Sequence, residues 1–77
     1  MHMLFLVVNL RTLNRIHEMR WKFGITIMEL SKKSGISKSA IHRIENGFVV
    51  PNQVQMIAIA KSLKMNVADV FDLEWRK

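Results

Sequence analysis

Thr26-Ile27-Met28-Glu29-Leu30-Ser31-Lys32-Lys33-Ser34-Gly35-Ile36-Ser37-Lys38-Ser39-Ala40-Ile41-His42-Arg43-Ile44-Glu45-Asn46-Gly47 is the stretch from which the rest of the chain can be read. It opens with a capping box. The Thr26 hydroxyl can satisfy a free backbone N–H, and Glu29, three residues on, can reach back to the cap. Ile25 and Leu30 stand where a hydrophobic staple would close over that box. The spacing predicts a helix over 27–33. Ser34-Gly35-Ile36-Ser37 then breaks the pattern after about two turns. The glycine is free to take a left-handed conformation, Ile36 to point inward, and Ser37 to cap another helix. That helix carries Ile41 and Ile44 on its buried face and stops at Asn46-Gly47. Two short helices joined by so tight a turn must meet at a steep angle.

Working outward, Leu10, Leu13, Ile16, Met19 and Phe23 recur at spacings of three and four, one face of a preceding helix. Asn9 or Thr12 can cap its start, and Gly24 ends it. Downstream, Phe48-Val49-Val50-Pro51 reads as a loop. Asn52 to Gln55 is another box-like start, followed by Met56, Ile59, Ala60 and Leu63 at helical spacing. Asn66-Val67-Ala68-Asp69 opens a last short helix holding Val70 and Phe71. The expected fold is a compact all-α domain of five short helices, preceded by a short extended apolar arm. Residues 1–9 are the arm, 10–73 the domain with its central pair of helices at 26–45, and 74–77 a tail.

A chain of 77 residues has room for one core. With 49% apolar and 23% charged residues it has the composition of a folded globule, not of a disordered segment. No cysteine is present, which excludes a disulfide framework and any thiolate metal site. His2, His17 and His42 are too scattered to suggest a metal set, and no cofactor motif occurs. The apolar run Met1–Val8 is far shorter than a membrane span, and lacks the flanks of a secretory signal. Glu29 and Asp69 read as capping residues, and Asp72 and Glu74 sit on the tail. With no nucleophile elbow or phosphate loop, the chain does not read as an enzyme. Between Arg11 and Arg43 eight basic residues face two acidic ones, which accounts for the whole net charge of +6. A polyanion is the natural partner, nucleic acid before a membrane surface. Lys38, Ser39, His42 and Arg43 lie opposite or beside Ile41 and Ile44, so they can face outward. Lys38 and Arg43 can donate to guanine O6 and N7, and Ser39 can bond a base or a phosphate.

The run Ile44-Glu45-Asn46-Gly47 followed by Pro51, with Gly24-Ile25-Thr26, Glu29-Leu30, Gly35-Ile36-Ser37, Leu63 and Asp69-Val70-Phe71, resembles the Cro and phage-repressor (XRE) family of helix-turn-helix DNA-binding domains. The resemblance spans roughly residues 12 to 73. It implies a lambda-repressor-like fold and a cytoplasmic transcriptional regulator bound to double-stranded DNA, with Lys38, Ser39, His42 and Arg43 as base-reading residues on the recognition helix. It implies phosphate contacts from Thr26, Lys32, Lys33 and Asn46, and a structural ion pair between Arg20 and Glu45. Relatives commonly carry glutamine, which touches a phosphate, where this chain has Ile27. They often carry polar residues where it has Phe48, Val49 and Val50.

Those three side chains, with Leu4–Val8, Val54, Ile57 and Trp75, leave more apolar surface off the expected core than a lone small domain accounts for. A homodimer would bury it, and two half-sites one helical turn apart require two recognition helices. Dimeric relatives place the loop after the recognition helix near the symmetry axis. Phe48, Val49, Val50 and Trp75 are therefore expected at a dimer interface. The alternative is a protein-interaction module on the same fold, such as an antitoxin-like or regulatory partner protein.

Overall fold

The computed structural model describes residues 14–71, which contain five helices and no strand. These are α1 (Ile16–Phe23), α2 (Ile27–Ser34), α3 (Lys38–Glu45), α4 (Gln53–Ser62) and α5 (Val67–Val70). Leu10 and Leu13, the arm at 1–9 and the tail with Trp75 lie outside the described residues. None of the described helices is long and apolar enough to cross a membrane. Helix α2 packs on α3 and α4, and α4 on α5. Ile16, Met19, Leu30, Ile41, Ile44, Ile59, Ala60, Leu63, Val70 and Phe71 form one core.

Local chemistry sets most of the helix starts. Thr26 Oγ1 accepts from the Glu29 N–H at 3.1 Å, and the Thr26 N–H donates to Glu29 Oε1 at 2.8 Å. Asn52 and Gln55 make the same reciprocal pair at the start of α4. Ser37 Oγ accepts from the Ala40 N–H and caps α3. A cap of this kind contributes about 1 kcal/mol.

Helix α1 departs from the sequence expectation. It begins at Ile16, so Asn14 and Arg15 interrupt any continuous helix running from Asn9 or Thr12. Asn14 Oδ1 takes the Ile16 N–H at 3.1 Å, its Nδ2 donates to the Ile44 carbonyl, and the Arg15 N–H donates to the Val70 carbonyl. These contacts draw the start of α1 onto the ends of α3 and α5, and backbone groups that would have extended the helix are taken. Phe23, expected on the core face, is about half exposed. It sits on the last turn of α1, directly before the left-handed Gly24 that ends the helix. Asp69 is in the first turn of α5, where Asn66 is the N-cap residue.

The exposed carboxyl of Glu29 is held below its usual range. The main cause is the hydrogen bond from the Thr26 backbone, aided by the Thr26 hydroxyl and the charges of Lys33 and Lys32, against a smaller desolvation effect. A folded-state value below the unfolded one stabilises the fold at neutral pH, and that contribution disappears as pH falls through the folded value. Urea unfolding is therefore expected to show Glu29→Gln less stable than the parent at about pH 7, and the two converging as acid protonates the folded-state carboxyl. A gap that persists undiminished in acid would assign the difference to something other than this carboxylate.

Candidate nucleic-acid interface

The turn between α2 and α3 fixes how α3 is presented. Gly35 adopts φ 76°, a left-handed conformation in which a side chain would be strained. Two hydroxyls then fasten the turn. Ser31 Oγ donates to the Ile36 carbonyl at 2.6 Å, and Ser34 Oγ accepts from the Ile36 N–H at 3.2 Å. Ile36 itself packs against the core. Both polar groups of the Ile36 backbone are thus satisfied by α2, and α3 leaves the turn at a set angle.

Helix α3 buries Ile41 and Ile44 and turns its opposite side to solvent. Lys38, Ser39, His42 and Arg43 are all exposed and line one open depression of about 360 Å³. The fifth lining residue is Ile27, at the start of α2. Donors of Lys, Ser and Arg type on an exposed helix face, without competing partners among the described residues, can bond base edges or phosphate oxygens. By the resemblance alone Ile27 marks a lost phosphate contact. The signal that it belongs to this surface was its position directly after the cap of the first helix of the pair.

The remaining residues singled out from the sequence are more dispersed. Thr26 is exposed at the N-cap of α2, its hydroxyl engaged with Glu29. Lys32 and Lys33 are exposed on the last turn of α2. Lys33 shares a separate depression with Lys61, Ser62 and Lys64, not the one on α3. Asn46 ends α3, and its Nδ2 donates to the His42 carbonyl at 2.7 Å. Phe48, Val49 and Val50 are 65%, 41% and 71% exposed, so Phe48 does not fold back onto its own helices. Val54 and Ile57, three apart on α4, are exposed as well.

Behind the surface, Arg20 Nη2 lies 3.0 Å from Glu45 Oε2, and Arg20 Nη1 donates to the Ile25 carbonyl at 3.1 Å. The Glu45 side chain is only 5% exposed. His17, given no role by its position in the sequence, has Nδ1 at 2.9 Å from the same Glu45 oxygen. Its ring also sits 6.1 Å from that of Trp21. The far end of α3 is thereby tied to α1 by two side chains and to the start of α1 by Asn14. Among the described residues no group of histidine and acidic side chains could hold a metal ion.

The helix-turn-helix family model matches residues 16–70. An uncharacterized HTH-type transcriptional regulator, YgzD, of Bacillus subtilis (strain 168), is 33% identical over 61 residues, which is 79% of this chain and 92% of that protein. No solved structure matches the chain.

Proposed function

The chain belongs to the helix-turn-helix family, and we propose that within it the protein is a sequence-specific, cytoplasmic DNA-binding transcriptional regulator. It binds a palindromic operator as a homodimer and inserts α3 into the major groove. The observation that carries this reading is the solvent side of α3, where Lys38, Ser39, His42 and Arg43 stand together over one depression on a helix braced from behind. Arg43 is assigned a guanine, which it can meet with both arms, and Lys38 and Ser39 the neighbouring edges or phosphates. Thr26, Lys32, Lys33 and Asn46 are assigned to the phosphate backbone, and the Arg20–Glu45 pair to orienting α3. The basic stretch from Arg11 to Arg43 supplies the long-range attraction. A pair of copies places two such helices about 34 Å apart, one turn of DNA.

Binding to duplex DNA is expected to fall steeply as salt rises, because each neutralised phosphate releases a counterion. For about five contacts the slope of log affinity against log salt is near −4.5. Fluorescence anisotropy with a labelled duplex from about 50 to 200 mM salt measures it. An affinity that does not change with salt, or no binding at the lowest salt, is incompatible with the proposal.

Reading and anchoring separate in a selection on random duplexes. Arg43→Ala is expected to weaken the preferred site by about 1–3 kcal/mol and to relax the base preference at one position per half-site. Lys33→Ala is expected to weaken all sequences alike. Equal losses on every sequence from both substitutions would make Arg43 an anchor.

The exposed Phe48, Val50 and Val54 also fit the second reading, a protein-interaction module. Light scattering on the purified chain distinguishes the two: a dimeric mass with DNA binding supports the regulator, and a monomer without DNA affinity the interaction module.

A further inference from the structure

We propose that Ile27 reads the 5-methyl group of a thymine in each half-site; this rests on the DNA-binding function proposed above. Ile27 is half-buried and packed against the core, so its position is fixed, and its open face lines the same depression as Lys38, Ser39, His42 and Arg43. It is the one apolar side chain among those five. It has no donor or acceptor, so it can bond neither a phosphate nor the polar edge of a base. What it offers is a dry surface for another apolar group. Of the groups that unmodified DNA presents in the major groove, only the thymine 5-methyl is apolar. Leu30, almost one turn on, is wholly buried, whereas Ile27 packs on the core with only part of its surface and keeps the rest open. A side chain that is costly to leave wet, set among four polar ones at the proposed reading surface, is thus matched by one feature of the ligand.

The shared chemistry is a pyrimidine 5-methyl, which unmodified DNA carries on thymine and methylated DNA also on cytosine. Burying one methyl group corresponds to about a fourfold change in affinity per half-site, and about fifteenfold for two half-sites. The test begins with parallel selections from unmodified and cytosine-methylated random duplexes. Each thymine of the recovered unmodified duplex is then replaced by deoxyuridine, which keeps every hydrogen-bonding group and lacks only the methyl. One thymine per half-site is expected to show the fourfold loss with the parent protein. With Ile27→Gln or Ile27→Ala, checked for folding by circular dichroism, the two duplexes are expected to bind within a factor of about 1.5, the methyl transfer no longer contributing. The parent's ratio stands as a test even if a variant fails to fold. Equal binding of every uridine duplex overturns the inference and leaves the regulator intact, as does the same fourfold loss in Ile27→Gln. A site recovered only from the methylated library assigns the methyl to cytosine and overturns the thymine. Failure to recover any duplex at low salt instead removes the DNA-binding function on which the inference rests.

Discussion

Glu45→Ala is expected to lower the midpoint of thermal unfolding by about 10–20 °C, the equivalent of about 2–3 kcal/mol in a domain of this size. The Glu45 carboxylate is almost wholly buried and carries both Arg20 and His17. Without it the Arg20 guanidinium keeps, among the described residues, only the Ile25 carbonyl, and its buried Nε already has no partner among them. A charge stranded in this way costs far more than the intact pair contributes. The value is set below that of a fully enclosed pair because Arg20 retains some access to water. His17→Ala is expected to do little, since its ring is 66% exposed and a polar contact so open to water contributes little. Replacing Arg20 and Glu45 together by methionine is expected to recover part of the loss, since no charge is then left alone. Circular dichroism melts of the three variants beside the parent measure all of this. A Glu45→Ala midpoint within about 3 °C of the parent would show that the pair does not hold α3 in place.

The double substitution Phe48→Asp with Val49→Asp is expected to convert a dimer to a monomer and to weaken operator binding at least a hundredfold. In the described chain these side chains, with Val50, Val54 and Ile57, are held out in solvent. Fully buried against a copy, a phenylalanine and two valines contribute about 1.5–3 kcal/mol each, and less when burial is partial. Two carboxylates placed there without partners would be desolvated at a cost no neighbouring contact offsets, whereas on a wet loop they are harmless. Losing the second copy also removes the advantage of linked half-sites, typically a factor of about 10²–10⁴. Light scattering gives the mass, and anisotropy on one-half-site and two-half-site duplexes gives the affinity. The loss should fall on the two-half-site duplex alone. A variant that keeps its dimeric mass and binds both duplexes as the parent does would place the interface elsewhere.

The helix-turn-helix pair was legible from the sequence because its signals are local. Thr26 and Glu29, Ser37 with Ala40, and Asn52 with Gln55 each bond across three residues, and the structure contains all of these bonds. Buried faces followed from periodicity, as for Ile41 and Ile44 or Ile59, Ala60 and Leu63. What escaped were features decided by distant parts of the chain. The start of α1 depends on Asn14 reaching Ile44, thirty residues away. The exposure of Phe23 depends on which helices reach the last turn of α1, and the engagement of His17 on where Glu45 lies. Ser31 and Ser34 look like ordinary solvent-facing residues until Ile36 is placed between them. Of the proposed reading surface, the four polar residues could be named from the helical wheel. For Ile27 the one signal is its place directly after the Thr26 cap, and its neighbourhood with those four is visible only in space, because they come from the other helix.

The two serines that fasten the α2–α3 turn have a consequence for control. With both polar groups of the Ile36 backbone satisfied inside the turn, changing the angle between the two helices would mean breaking these bonds, so the turn favours one angle over a range that a signal could adjust. If copies pair as proposed, what remains adjustable is how many meet. Below the dimerisation constant, occupancy of a two-half-site operator then follows the square of protein concentration. Under that pairing the amount of protein would be the input, and a twofold dilution would lower occupancy about fourfold at low occupancy.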